Sequence, residues 1–248
     1  MLDLLDAALP APARGVFTTR SGGTSRGPWD ALDLAHHVGD DGQHVSANRE
    51  LLAEALGLSA HAVAYMAQPH GSGVAVVGRP TPLAQAAGVH GVDGLVTRSK
   101  GVGLAVLAAD CLPVLLADPR AGVIAAAHAG RQGLVTGVLQ EVLRVMAEHG
   151  ARPADTTAVI GPAVCGRCYE LPQQVVEQVE AAVPGTAART RQDTPSADLT
   201  AGALLFLDRA GVGAASAVGG CTLEQPQRFY SHRRDGRTGR HAGVVVLR

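Results

Sequence analysis

Two apolar runs constrain this chain more than any other stretch of it. Leu104 to Ala117 and Val123 to Ala127 flank Asp118-Pro119-Arg120-Ala121-Gly122, with proline and glycine where a tight reversal wants them. The pattern predicts a β-hairpin. If the loop runs from Asp118 to Ala121, Ala117 faces Gly122, and counting back along the ladder sets Cys111 opposite His128. Residues so placed share a face, with Cβ atoms about 5 Å apart. A lone cysteine in an apolar run is ordinarily a small core residue; a cysteine facing a histidine at the open end of a hairpin is a candidate site. Pro113 cannot donate to the ladder and argues for an edge strand or a bulge beside Cys111. Beyond the hairpin, Gly130 opens a helical pattern through Leu134, Val138, Val142 and Val145 that runs to near Gly150.

The rest of the chain reads as short strands mixed with helices. Strands are expected at Val16 to Thr19, Ala62 to Met66, Gly73 to Val77, Thr157 to Ile160, Gly211 to Val218 and Gly243 to Leu247, with Gly91 to Thr97 leading into the hairpin, and helices at Ser46 to Leu58, Gln173 to Val183 and Leu199 to Ala210. Ser46 reads as a helix cap, and 184 to 197 as a polar loop. Regular βα alternation is missing, as are repeats and linkers. The expectation is one domain over residues 1–248, an α/β sandwich with mixed or antiparallel sheets flanked by helices.

Composition narrows the function. A net charge of −1 and an aromatic content of 3% argue against nucleic acid or an anionic membrane as the main partner. Lys100 is the only lysine, so arginine carries the positive charge, a residue suited to bidentate anion recognition. The N-terminus carries Asp3 and Asp6 where a signal peptide would be basic, so a cytoplasmic protein is expected. Its four cysteines, Cys111, Cys165, Cys168 and Cys221, are no disulfide framework. Cys165 and Cys168 have C-x-x-C spacing without a second such pair. His70 falls in a turn, Asp93 reads as a carboxylate supporting a ligand or as a turn residue, and the His36-His37 pair offers at most one imidazole to a given site. The Gly- and Ser-rich segment near Arg20 and Arg26 reads as a surface loop or an anion cradle.

The ordered motifs TTRSGGTS (18–25), HVGDD with NRE (37–41, 48–50), QPHGSGV (68–74), DGLVT (93–97), ADCLPVLLADP (109–119), AAHAG (126–130), IGPAVCGRCYE (160–170), CT (221–222) and FYSHRRDGRTGR (229–240) resemble one family over nearly the whole chain. It is the multicopper polyphenol oxidoreductase or laccase-domain family, also called YfiH-like, peptidoglycan editing factor or purine nucleoside phosphorylase. The resemblance implies a catalytic zinc, one per chain, held by His70, Cys111 and His128. Two imidazoles and a thiolate leave a fourth position open. It further implies phosphorolysis of adenosine, inosine and 5′-methylthioadenosine, with some adenosine deamination. For the phosphate, Arg131, Arg233 and Arg240 are the candidates. The substrates would be a small nucleoside and phosphate, and the protein a monomer or small homo-oligomer. Alternatives are a peptidoglycan-editing hydrolase using Cys111 as nucleophile and His128 as base, and a non-catalytic zinc-binding partner protein. Copper, named by the family, fits poorly because the chain lacks His-rich clusters and a cysteine with an axial methionine. Two positions depart from the pattern. Arg131-Gln132 stands where the family has Trp-Arg, and Asp33 where it commonly has Asn.

Overall fold

A computed structural model describes residues 1–78 and 88–248. Its strands are β1 (Leu4–Asp6), β2 (Ala13–Thr18), β3 (Val63–Ala64), β4 (Val74–Val76), β5 (Gly94–Thr97), β6 (Gly103–Ala108), β7 (Leu112–Asp118), β8 (Val123–Ala129), β9 (Thr157–Ile160), β10 (Ala187–Arg189), β11 (Pro195–Ala197), β12 (Ala214–Ala217) and β13 (His241–Leu247). The helices are α1 (Gly42–Ala55), α2 (Arg131–Val135), α3 (Val138–Glu148), α4 (Gln173–Ala182), α5 (Leu199–Arg209) and α6 (His232–Asp235). Beside a small β10-β11 ribbon, the described residues form two larger sheets, of order β1-β2-β13-β6-β3 and β12-β9-β7-β8-β5-β4. Both are mixed: β3 joins β6, β4 joins β5 and β12 joins β9 in parallel, and the remaining pairs are antiparallel. The predicted α/β sandwich with flanking helices is the observed fold.

Side-chain alternation explains the layering. Phe17, Val106, Val245, Leu115, Ala117, Ile124 and Val159 fill the space between the sheets. Val114, Leu116, Ala125 and Ala127 face the other way, against Val138, Val142, Val145 and Met146 of α3 and Leu199, Ala203 and Leu207 of α5. On the far side, Val16, Ala105, Leu107 and Val244 pack on Leu52 and Ala53 of α1 and on Leu56, its C-cap. The central strands are therefore buried on both faces, which is why they read as unbroken apolar runs.

That continuity hides a break. Leu104 to Ala117 is two strands in different sheets, β6 and β7, with the chain crossing between layers at Ala109 to Cys111, where Asp110 has φ +101°. The β7–β8 hairpin exists, but Asp118 pairs with Val123 and Pro113 with His128, two residues from the predicted register. Asp118 ends β7 instead of entering the loop because its carboxylate accepts the Arg120 and Ala121 N–H groups, both at 2.9 Å, closing an Asx-type turn. The helix after Gly130 is also interrupted: Gly137, at φ +88°, separates α2 from α3. Helix α1 starts earlier than predicted. Asp41 caps it through the Gln43 N–H, while Ser46 Oγ donates to the Gly42 carbonyl inside the helix. The predicted loop at 184 to 197 holds the β10–β11 hairpin. Among the described residues no helix is long and apolar enough to cross a membrane.

Candidate active site

The crossing between the sheets sets up the site. Cys111 lies in the bend just before β7, and His128 is the penultimate residue of β8, 3% exposed. His70 comes from the loop between β3 and β4, where Gln68 and His70 both take left-handed conformations (φ +56° and +67°). Such backbone is costly away from glycine, and here it is held by two partners. Gln68 pairs like a strand residue with Leu107, accepting its N–H at 2.8 Å and donating Nε2–H to its carbonyl at 2.7 Å. Asp93 Oδ1 accepts the His70 N–H at 3.0 Å, and Oδ2 accepts that of Gly71 at 2.7 Å.

Asp93 does more than hold the loop. It immediately precedes β5, the neighbour of β8, so its carbonyl accepts the His128 N–H at 2.7 Å. Its fully buried carboxylate meets His128 Nδ1 at 2.8 Å. A carboxylate at Nδ1 selects the tautomer with its proton there and leaves Nε2 for a metal or a substrate. The His70 and His128 rings meet edge to face with centroids 4.8 Å apart. Donor atoms of His70, Cys111 and His128 all lie within 4.8 Å of one another, so the three predicted ligands converge although the hairpin register differs. A shift of two residues keeps every side chain on its face.

Charge is distributed through the same contacts. Burial disfavours the Cys111 thiolate, but hydrogen bonds and charge from His128 and His70 pull the thiol from 9.0 down to about 6. Burial likewise opposes the His128 imidazolium, while hydrogen bonds to Asp93 and Cys111 push it up to about 9. Gly130, which caps α2, leaves the room this packing needs: a Cβ there would sit 2.9 Å from Cys111 Sγ and 3.2 Å from His70 Cδ2.

The three side chains border a cavity of about 580 Å³ whose walls include Gln68, Tyr169, His232, Arg233 and Arg240. Arg233 is anchored through Nη1 to the Glu170 carbonyl at 3.0 Å and lies 4.7 Å above the Tyr169 ring. Arg240 Nη1 donates to the Thr238 and Gly239 carbonyls, at 2.9 and 3.0 Å. Asp110 ties the C-terminal segment to the Cys111 bend, accepting the Thr222 hydroxyl and the Arg233 N–H, both at 2.7 Å. Two of the three predicted anion-binding arginines therefore line the cavity. Arg131 does not: it opens α2 outside the lining. Of the histidine pair, His37 lines the cavity. Arg20 is a clamp, donating to the Asp30 and Pro226 carbonyls at 2.7 and 2.9 Å, so the loop around it matches the surface-loop reading. Tyr169, His232 and Asp110 were not singled out in the sequence, though all three lie inside motifs named there.

Residues 14–248 match the family described as multi-copper polyphenol oxidoreductase laccase. The chain belongs to this family. Relatives include a purine nucleoside phosphorylase of Streptomyces griseus, 48% identical over 97% of both chains, and another of Streptomyces coelicolor, 50% identical over 93% of this chain and 94% of the relative. Among solved structures, YlmD from Geobacillus stearothermophilus superposes with TM-score 0.89 at 34% identity, over 96% of this chain and 93% of that one. The Neisseria meningitidis protein NMB0706 gives 0.86 at 36% identity over 98% of both. The family description names copper, and two imidazoles with one thiolate are a donor set that both copper and zinc accept.

Proposed function

We propose that this chain is a zinc-dependent purine nucleoside phosphorylase acting on adenosine, inosine and 5′-methylthioadenosine, with adenosine deamination as a lesser activity. The observation that carries the reading is a single cavity bordered both by His70, Cys111 and His128 and by Arg233 and Arg240. The names of the Streptomyces relatives give the reaction class.

Two imidazoles and one thiolate within mutual ligand distance fit zinc, with Asp93 fixing the His128 ring as a carboxylate behind a ligand does. Bound there, the ion supplies a Lewis acid with one position open. In phosphorolysis an oxygen of phosphate bonds to ribose C1′ as the bond to the purine nitrogen breaks. The electron pair leaves with the base, which takes up a proton, and ribose 1-phosphate remains. Arg233 and Arg240 hold the phosphate with charge-assisted hydrogen bonds. Their backbone anchors fix the guanidinium directions before phosphate arrives, which lowers the ordering cost of binding. Asp93 keeps His70 and His128 in register through the reaction.

A second reading rests on the depressed Cys111 thiol beside His128: nucleophile and base cleaving an amide in a cell-wall precursor. One assay separates the two. Adenosine is offered with and without phosphate, following adenine, inosine and ribose 1-phosphate, beside amino-acid release from the precursor. Phosphate-dependent adenine release that chelator abolishes and zinc restores is expected, with Cys111 slow to alkylate. Chelator-resistant turnover with rapid Cys111 labelling would promote the hydrolase.

A further inference from the structure

The C-x-x-C pair is not alone in the fold. Cys221 and Glu224 come to it from a segment more than fifty residues away, and the donor atoms of Cys165, Cys168, Cys221 and Glu224 lie within 4.8 Å of one another. Two backbone pairings hold the segments together: Ala163 bridges Cys221, and the Thr222 N–H donates to the Ala163 carbonyl at 3.1 Å. The residues 165–168 form a tight turn, the Cys165 carbonyl accepting the Cys168 and Tyr169 N–H groups at 2.9 and 3.0 Å. A further backbone donor, the Cys165 N–H, points at Cys221 Sγ at 3.4 Å, as amides do around metal-bound sulfur. Cys168 Sγ and Arg191 Nη2 both reach Glu224 Oε1, at 3.2 and 2.6 Å. All three cysteines are free thiols.

We propose that these four residues form a second metal site, a closed structural site for Zn2+ distinct from the His70, Cys111 and His128 group. Three thiolates and a carboxylate complete a tetrahedron without an open position, the pattern of a structural rather than a catalytic ion. Size supports a single ion. Tetrahedral zinc with Zn–S bonds of about 2.3 Å sets its sulfurs roughly 3.8 Å apart, within the observed spacing. Four anionic donors around a dication leave negative charge, which Arg191 offsets through Glu224 and Arg167 on the wall of the adjoining cavity. The consequence reaches the active site. Tyr169 follows Cys168 directly, Arg233 is anchored on the Glu170 carbonyl, and Thr222, next to Cys221, bonds Asp110 beside Cys111. An ion here fixes the wall that carries Tyr169 and Arg233.

The test uses the full chain purified under reducing conditions without chelator. Elemental analysis is expected to give two zinc ions per chain, and one after Cys168→Ser or Cys221→Ser. Because those variants could fold poorly, a second measurement uses Cys111→Ser, which has no thiolate at the first site. Loaded with Co2+, it is expected to keep a strong thiolate-to-cobalt charge-transfer absorption, which Cys111→Ser/Cys168→Ser loses. One zinc per wild-type chain, with Cys165, Cys168 and Cys221 all titrating as free thiols or recovered as a disulfide, would overturn the proposal. So would a Co2+-loaded Cys111→Ser protein with no thiolate absorption.

Discussion

Asp33→Asn is expected to stabilise the protein increasingly as pH rises. Asp33 is fully buried; Oδ1 accepts the Arg240 N–H at 2.8 Å and that of Ala35 at 3.1 Å, while Oδ2 has no hydrogen-bond partner among the described residues. Burial lifts its pKa from 3.8 to about 7, against the pull of the two N–H groups. A carboxyl whose folded pKa lies above its unfolded one stays protonated in the folded state after the unfolded chain has ionised. Stability is therefore intact below pH 4 and is lost as pH climbs through 7. At about 1.4 kcal/mol per pH unit the full loss is about 4 kcal/mol, of which about 3 kcal/mol falls between pH 5 and 8.5. The amide keeps the Oδ1 acceptor and never ionises. Its NH2 leaves two buried donors unpaired against one for the protonated acid, so the variant starts somewhat below wild type at low pH and gains on it as pH rises. Urea unfolding of wild type and variant across this range reads the gap directly, and titrations common to both cancel. A gap that does not move in the variant's favour as pH rises would refute the argument, because it would mean Asp33 ionises as freely inside the fold as outside.

Arg240→Ala should raise the KM for phosphate about 10- to 100-fold, the worth of one or two charge-assisted hydrogen bonds, with a much smaller change for the nucleoside in initial-rate assays. Asp93→Asn should weaken zinc about 10- to 100-fold, as expected on losing a carboxylate behind a ligand, measured by competition with a chelating dye; unchanged affinity would leave Asp93 a purely structural role. Gly130→Ala, whose Cβ would approach Cys111 Sγ to 2.9 Å, should empty the site of metal while far-ultraviolet circular dichroism stays that of wild type.

Much of the sandwich was legible because its strands carry strong apolar runs, and Thr157 to Ile160 has the same bounds in sequence and structure. What misled was also burial. A strand covered on both faces shows no alternation, so β6 and β7 fused into one run, and the break at Asp110 carries neither glycine nor proline to mark it. His70, Cys111 and His128 survived this error because the register slipped by an even number. Asp93 read only as a supporting carboxylate or a turn residue; its two N–H bonds and its imidazole come from two other segments, the His70 loop and β8. Cys221 and Glu224 were invisible as partners of the C-x-x-C turn because no spacing in a sequence encodes a pairing across more than fifty residues.

The place of β13 in its sheet has a consequence for how the chain is made. It lies between β2 and β6 and pairs with both, so β2 waits for a neighbour encoded about 220 residues later. At a synthesis rate of roughly 5 to 20 residues per second, that is on the order of ten to forty-five seconds. During that interval two apolar edges stand open on the ribosome, each able to recruit a strand from another nascent copy. Translation pauses, or messages broken upstream of codon 241, should therefore yield insoluble products, and holdase chaperones should bind this polypeptide before its release more than after it.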